Sequence, residues 1–474
     1  MLFNSLEFIF FFIAVVIVYY LIPKNTIRKV FLLASSYYFY ACWNVAFLAI
    51  LFYETALSYE IVFKFKTKKK KGDRGLLVAS IIMLLLPLLC FKYLNFILGS
   101  FCDFASFFGW VLPVPEFKLL LPIGISFYTF MSVGYVIDVF QQKIKPERSI
   151  LDYALFIGFF PQIASGPIGR AQQLLPQIKE KQPLLYDNIA AGCKMMLWGF
   201  FMKLVVGDRA GIYVDTVFGN WVHHNGISLL LATFMYTIQI YCDFAGYSLI
   251  AIGTAKTMGF ELMSNFERPY FSRNIGEFWR RWHISLSTWF RDYVYFPLGG
   301  NRCRKSRAYL NLIITFLVSG LWHGAAYTFI IWGGLHGLVQ VTDKVTKSLR
   351  NNFWRKANLS EDSVIRRVLN ICITFIIVSY LWMIFWSPDF ATVIGITKGY
   401  FNIGKPYIHQ TTIFFFAFGF GLLFFKDFLD EFFPNKHWFL SSKNVIVRYM
   451  TFVILLIIIL LTSVGGGSFI YFKF

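Results

Sequence analysis

Apolar stretches long enough to cross a bilayer recur from end to end of this chain, separated by short loops rich in lysine and arginine. The first, residues 8–22, follows a segment whose only charged side chain is Glu7. It has neither the basic region nor the small-residue cleavage site of a signal peptide, so it reads as a retained span. Lys24, Arg28 and Lys29 come next, which places the N-terminus outside. Residues 30–43 and 46–63 return the chain to residues 64–74, where seven basic residues and one acid mark a cytoplasmic loop. Residues 76–101 exit and 119–140 re-enter. Residues 156–169 are apolar too, but two prolines and three glycines argue against a straight helix and for a re-entrant or broken segment buried in protein. Further spans are expected at 190–206, 228–258, 308–321, 322–341, 369–385, 411–425 and 446–464. Between them, residues 261–307 form an amphipathic block with nine arginines and lysines, suited to helices in the cytoplasmic interface. The pattern predicts an all-α polytopic membrane protein of about 11–12 transmembrane helices plus re-entrant and interfacial helices. It forms a single integral-membrane domain over residues 1–474, with both termini outside.

Composition sharpens this. Of the 474 residues, 57% are hydrophobic and only 15% charged, too few charges for a soluble protein. A formal charge of +20 would suggest nucleic acid in a soluble chain. Here the cations sit in the loops, where membrane topology accounts for them and no nucleic-acid partner is expected. The seven cysteines are scattered without a C-x-x-C pair, so neither a disulfide framework nor a metal site is indicated.

Within this apolar background a few polar residues stand out. His323, in Gly320-Leu-Trp-His-Gly324, lies between apolar runs, and a titratable imidazole in hydrocarbon either lines a polar cavity or does chemistry. The alternative is a histidine bonded to a neighbouring carbonyl, holding two helices together. His336, thirteen residues on, would lie about 20 Å further along a continuous helix, on a different face, unless the glycines break it. Helix packing or tunnel lining is its expected role. His283 belongs to Phe278-Trp-Arg-Arg-Trp-His-Ile-Ser-Leu-Ser-Thr-Trp-Phe-Arg-Asp292, where helical spacing puts Trp279, His283, Leu286 and Phe290 on one face. Arg280, Arg281 and Arg291 in this block suit either phospholipid or an anionic cofactor arriving from the cytoplasm. Asp243, inside a span, is expected to pair or to serve a polar path.

Five motifs in order resemble the membrane-bound O-acyltransferase family, in its alginate O-acetyltransferase membrane-subunit branch. They are Phe159-Phe-Pro-Gln-Ile-Ala-Ser-Gly-Pro-Ile168, Gln239-Ile-Tyr-Cys-Asp-Phe-Ala-Gly-Tyr-Ser248, the stretch from Phe278 to Tyr293, Tyr295-Phe-Pro-Leu-Gly-Gly-Asn301, and Gly320-Leu-Trp-His-Gly324. The resemblance implies a ring of tilted helices around a central tunnel open to both sides, with the family core at about residues 120–400. It implies a cytoplasmic thioester donor, acetyl-CoA or an acyl carrier protein, with no metal. The catalytic histidine would be His323, with Trp322 beside it, and His283 the second characteristic histidine. It further implies a bacterial cytoplasmic (inner) membrane location and an extracellular or periplasmic partner transferase, of SGNH type, that acylates an exported polysaccharide. The segment Gly465-Gly-Gly-Ser-Phe-Ile-Tyr-Phe-Lys-Phe474 has the look of an interfacial anchor. It also resembles the aromatic tail of a small partner peptide in teichoic-acid D-alanylation, which makes Tyr471 a candidate acyl relay.

O-acetylation of a cell-surface polysaccharide is thus the leading expectation. A transporter or flippase with His323 and Asp243 lining its path is the alternative, and a scaffold that only recruits an extracellular enzyme is weaker. Transporters commonly show repeated halves or paired broken helices, and only one interrupted segment is visible here.

Overall fold

The computed structural model describes residues 1–65, 71–113, 117–164, 166–361 and 363–463. Among these the chain is helical, with no strand. It forms two compact units, one of Met1–Cys193 with Ala251–Met263, the other of Lys194–Ile250 with Ser264–Phe474. Tyr471 and the rest of residues 464–474 lie outside the described residues.

Among the described residues, six helices are long and apolar enough to span a bilayer: Asp73–Phe107, Tyr186–Gly219, Gly226–Thr257, Val364–Trp386, Gln410–Phe432 and Val445–Thr462. Leu6–Leu21, Ile125–Phe140 and Ile150–Ile163 are apolar but shorter. A 16-residue helix rises about 24 Å, short of a hydrocarbon core of about 30 Å. Several expected spans are therefore short helices among the described residues.

In the first unit the Pro/Gly-rich segment is broken, as its composition predicts. The helix Ile150–Gly158 stops, and a single turn follows at Phe160–Ile163. The side chains there are buried, Phe156, Phe160 and Ile163 completely. The backbone N–H of Phe160 donates to Ser36 Oγ at 3.1 Å, replacing a bond that a continuous helix would have made.

The second unit holds the polar residues singled out in the sequence. Its relevant helices are α1 (Gly226–Thr257, the second unit up to Ile250), α2 (Ile275–Arg281), α3 (Ile284–Phe290), α4 (Lys305–His323), α5 (Tyr327–Val345), α6 (Val364–Trp386) and α7 (Gln410–Phe432). The expected amphipathic helix through residues 278–292 is instead two short helices. The break falls at His283, whose φ of 42° puts it in the left-handed region. Asn265 holds the corner: its carbonyl accepts from Ile284 N–H at 2.9 Å and its Oδ1 from Ser285 Oγ at 2.6 Å, while its Nδ2 donates to Ser248 Oγ at 3.0 Å. The block has an exposed side, with Arg273, Arg280 and Arg291, and a buried one. Phe278 and Trp282 are fully buried in the unit, because the kink turns its aromatic side inward.

Helices α4 and α5 form a hairpin that packs backbone to backbone through glycine. A Cβ on Gly320 would lie 2.2 Å from the Phe329 carbonyl oxygen, and one on Gly333 would lie 2.2 Å from that of Phe316. Small residues of this kind let two membrane helices approach closely. Gly333→Ala is expected to push α4 and α5 apart at a cost of about 1–3 kcal/mol. That would appear as a lower melting temperature in detergent, with acyl transfer lost in parallel. Gly421→Ala serves as the control: it meets nothing within 4 Å and should melt like the parent.

Candidate active site

Helix α4 ends at His323, Gly324 is extended, and α5 begins at Tyr327. A Cβ on Gly324 would overlap the Phe329 ring at 2.1 Å, so a side chain there would have to displace that ring. Because the chain reverses here, His323 and His336 are not separated along one helix. Both pack on Trp332, with ring centres 5.1 Å and 4.7 Å away. This is the broken-helix case that the sequence left open.

All three histidines are buried, with 0% exposure for His283 and His336 and 2% for His323. They belong to one aromatic cluster. His283 lies 4.6 Å from Phe244 and 6.1 Å from Trp322 between ring centres, and Trp322 lies 4.9 Å from His323. Phe385 of α6 closes the other side of His323 at 5.4 Å. His336 is held by α2, where Trp279 Nε1–H donates to its Nδ1 at 3.1 Å. Burial pushes the His283 imidazole well below the usual histidine range, so it is neutral in this environment. The sequence pattern put Trp279 and His283 on one face. The kink separates them, sending Trp279 to His336 and His283 to α1.

A cavity of about 480 Å³ lies against this cluster, within the size range of small-molecule sites. Arg280, Arg291 and Lys344 line it, with no carboxylate among its lining residues. Trp279, Phe316 and Gln340 form its aromatic and amide wall, and the first two also pack on His336. A second cavity of about 490 Å³ lies beside Arg273, Asp343, Arg350 and Trp354, and no histidine lines either cavity. The first touches the cluster through Trp279 and Phe316.

Of the three arginines expected at donor entry, Arg280 and Arg291 line the cavity and Arg281 does not. Arg281 makes a two-pronged pair with Glu431 of α7 at 2.9 and 3.0 Å and a third bond to Glu277 at 2.7 Å. Burial favours a neutral Glu277, but Arg273 and Arg281 more than offset it and hold its carboxyl below the usual range. Arg281 therefore fixes α2 to α7. Lys344, which the sequence did not single out, completes the cationic set.

Asp243 does not line the cavity. It is ion-paired with Lys203, which also bonds Asp208 at 2.7 Å, and Lys203 is 1% exposed. Lys203 sits in a π-helical turn, Phe201–Gly207, inside the Tyr186–Gly219 span. The pairing was recoverable from sequence, because a lysine and an aspartate in separate spans are each too costly alone.

The model of the membrane-bound O-acyltransferase family matches residues 118–387, which include the cavity, the aromatic cluster and all three histidines. A protein of Pseudomonas aeruginosa named "Probable alginate O-acetylase" is 36% identical over 406 residues, 85% of this chain and 75% of its own length. A peptidoglycan O-acetyltransferase of Helicobacter pylori is 33% identical, covering 84% of this chain and 79% of its own. A teichoic acid D-alanyltransferase of Bacillus subtilis is 30% identical over 58% of this chain and 71% of its own. The chain is an O-acyltransferase and belongs to the membrane-bound O-acyltransferase family.

Proposed function

We propose that this protein carries a short acyl group, acetyl by preference, from a cytoplasmic thioester donor across the bacterial cytoplasmic membrane to modify an exported cell-surface polysaccharide. The observation that carries the reading is the acid-free cationic cavity whose Trp279 and Phe316 wall packs on the buried His336. Arg280, Arg291 and Lys344 suit the phosphates of coenzyme A or of a carrier protein's prosthetic arm. The relatives are named for acetyl transfer to alginate or peptidoglycan and for D-alanyl transfer to teichoic acid, each a small acyl group.

His323 acts as the general base. A hydroxyl is a weak nucleophile until its proton is removed during attack, and a neutral imidazole is suited to that near neutral pH. Tyr471, outside the described residues, is the first acceptor in this reading, on the strength of its aromatic, glycine-preceded tail. An extracellular partner transferase then moves the group to the polymer, so the donor itself never crosses. Both termini lie outside in this arrangement, which puts Tyr471 on the partner's side.

The purified protein, reconstituted in liposomes with radiolabelled acetyl-CoA or acetylated carrier protein, is expected to acquire label on the peptide containing Tyr471. Tyr471→Phe should remove that label. Labelling undiminished in Tyr471→Phe would overturn the relay, and donor that is never consumed would overturn the proposed function.

A further inference from the structure

We propose that His336 is the oxyanion donor of this reaction, its Nε2–H acting with the indole N–H of Trp332 on the thioester carbonyl oxygen. The inference rests on the proposed transfer from a thioester with His323 as base, and it gives His336 a different task.

The tautomer follows from hydrogen-bond chemistry. An indole nitrogen can only donate. Trp279 Nε1 lies 3.1 Å from His336 Nδ1, so Nδ1 must present its lone pair. A neutral imidazole then carries its proton on Nε2. Protonating Nδ1 would set two N–H groups against each other and lose the Trp279 bond. His336 is thus fixed as a donor, with no lone pair left for a substrate proton.

That donor is idle in the structure. His336 Nε2 and Trp332 Nε1 have no hydrogen-bond partner among the described residues, although both side chains are 0% exposed. Leaving one buried donor unpaired costs about 1–3 kcal/mol. Two of them on successive turns of α5, with ring centres 4.7 Å apart, make a cost that a ligand acceptor would relieve. Gln340, one turn further along α5, is buried, and its Nε2 has no partner among the described residues either. Trp279 and Gln340 line the donor cavity, while Trp332 also packs on His323. The donors therefore stand between the cavity that takes the thioester and the base that activates the hydroxyl.

In the step this supports, the acceptor oxygen bonds to the carbonyl carbon as its proton passes to His323. The carbonyl π pair moves onto oxygen, where the His336 and Trp332 N–H groups receive it. When the carbonyl re-forms, the carbon–sulfur bond breaks and the thiolate takes the proton from His323. Donors aimed at developing charge in a water-excluded site are among the largest contributions to acyl transfer.

The test measures kcat and KM for acetyl-CoA with the full-length protein in liposomes, comparing the parent with His336→Leu, His336→Gln and Trp279→Phe. His336→Leu, which has no donor, is expected to lower kcat about 10²–10³-fold with KM within about twofold. His336→Gln restores an N–H near the Nε2 position and is expected to stay within about tenfold of the parent, as one recovered donor of this class would allow. A kcat of His336→Leu within threefold of the parent would sink the proposal, and so would His336→Gln as slow as His336→Leu. If His336→Leu does not fold, Trp279→Phe decides. It frees the tautomer, so a lower kcat at unchanged KM supports the assignment and an unchanged kcat overturns it. A parent with no activity on any acetyl thioester would remove the proposed function itself. An active parent with an inactive His323→Ala leaves that function standing whatever His336 does.

Discussion

His323→Ala is expected to lower acyl transfer by about 10²–10⁴-fold, the usual contribution of a positioned general base, with little change in protein yield. The side chain is 2% exposed and packs on Trp322, Trp332 and Phe385, so its removal leaves a void in an aromatic wall. A void weakens packing, whereas loss of the base abolishes chemistry, and the two are separable. His323→Phe fills the space and should melt near the parent while staying as inactive as His323→Ala. Donor consumption by reconstituted protein is the measurement, and activity in the phenylalanine variant would remove His323 from the mechanism.

The second large effect is on stability. Lys203→Met leaves Asp208 and Asp243 buried in the spans without the ammonium they share. Breaking a buried ion pair by removing one partner costs about 3–5 kcal/mol, because an uncompensated charge stays behind. Lys203→Met is therefore expected to give low yield and a sharply lower melting temperature. The triple variant Lys203→Met/Asp208→Asn/Asp243→Asn removes all three charges and should recover most of the loss. A triple variant as unstable as the single one would show that Lys203 acts through packing and not through charge. The triad also bears on the transporter alternative, which needed Asp243 on a substrate path. Asp243 is instead spent on Lys203, and it lines neither of the two cavities described.

Much of the architecture could be read from the chain. Apolar runs gave an all-helical membrane protein, and Pro161, Gly166 and Pro167 gave the broken segment, since these residues act on the backbone locally. His323 was legible because a histidine in an apolar run is costly wherever it ends up. Less legible were features set by partners distant in sequence. Arg281 looked like Arg280 beside it, yet Glu431, 150 residues away, claims it. His283 lay on an apparent helical face until Asn265 kinked the backbone there. Lys344 and Arg291 lie 53 residues apart and meet only at the cavity.

The sequence by itself determined the class of molecule, the family motifs and the costly histidine, because each depends on local composition or on short-range order. Only the tertiary structure decided how the three histidines divide. The turn at Gly324 reverses the chain so that His323 and His336 share Trp332, and Trp279 then fixes which nitrogen of His336 bears the proton. Helical periodicity places residues only along one straight helix. A tautomer depends on which donor another helix brings within hydrogen-bond reach.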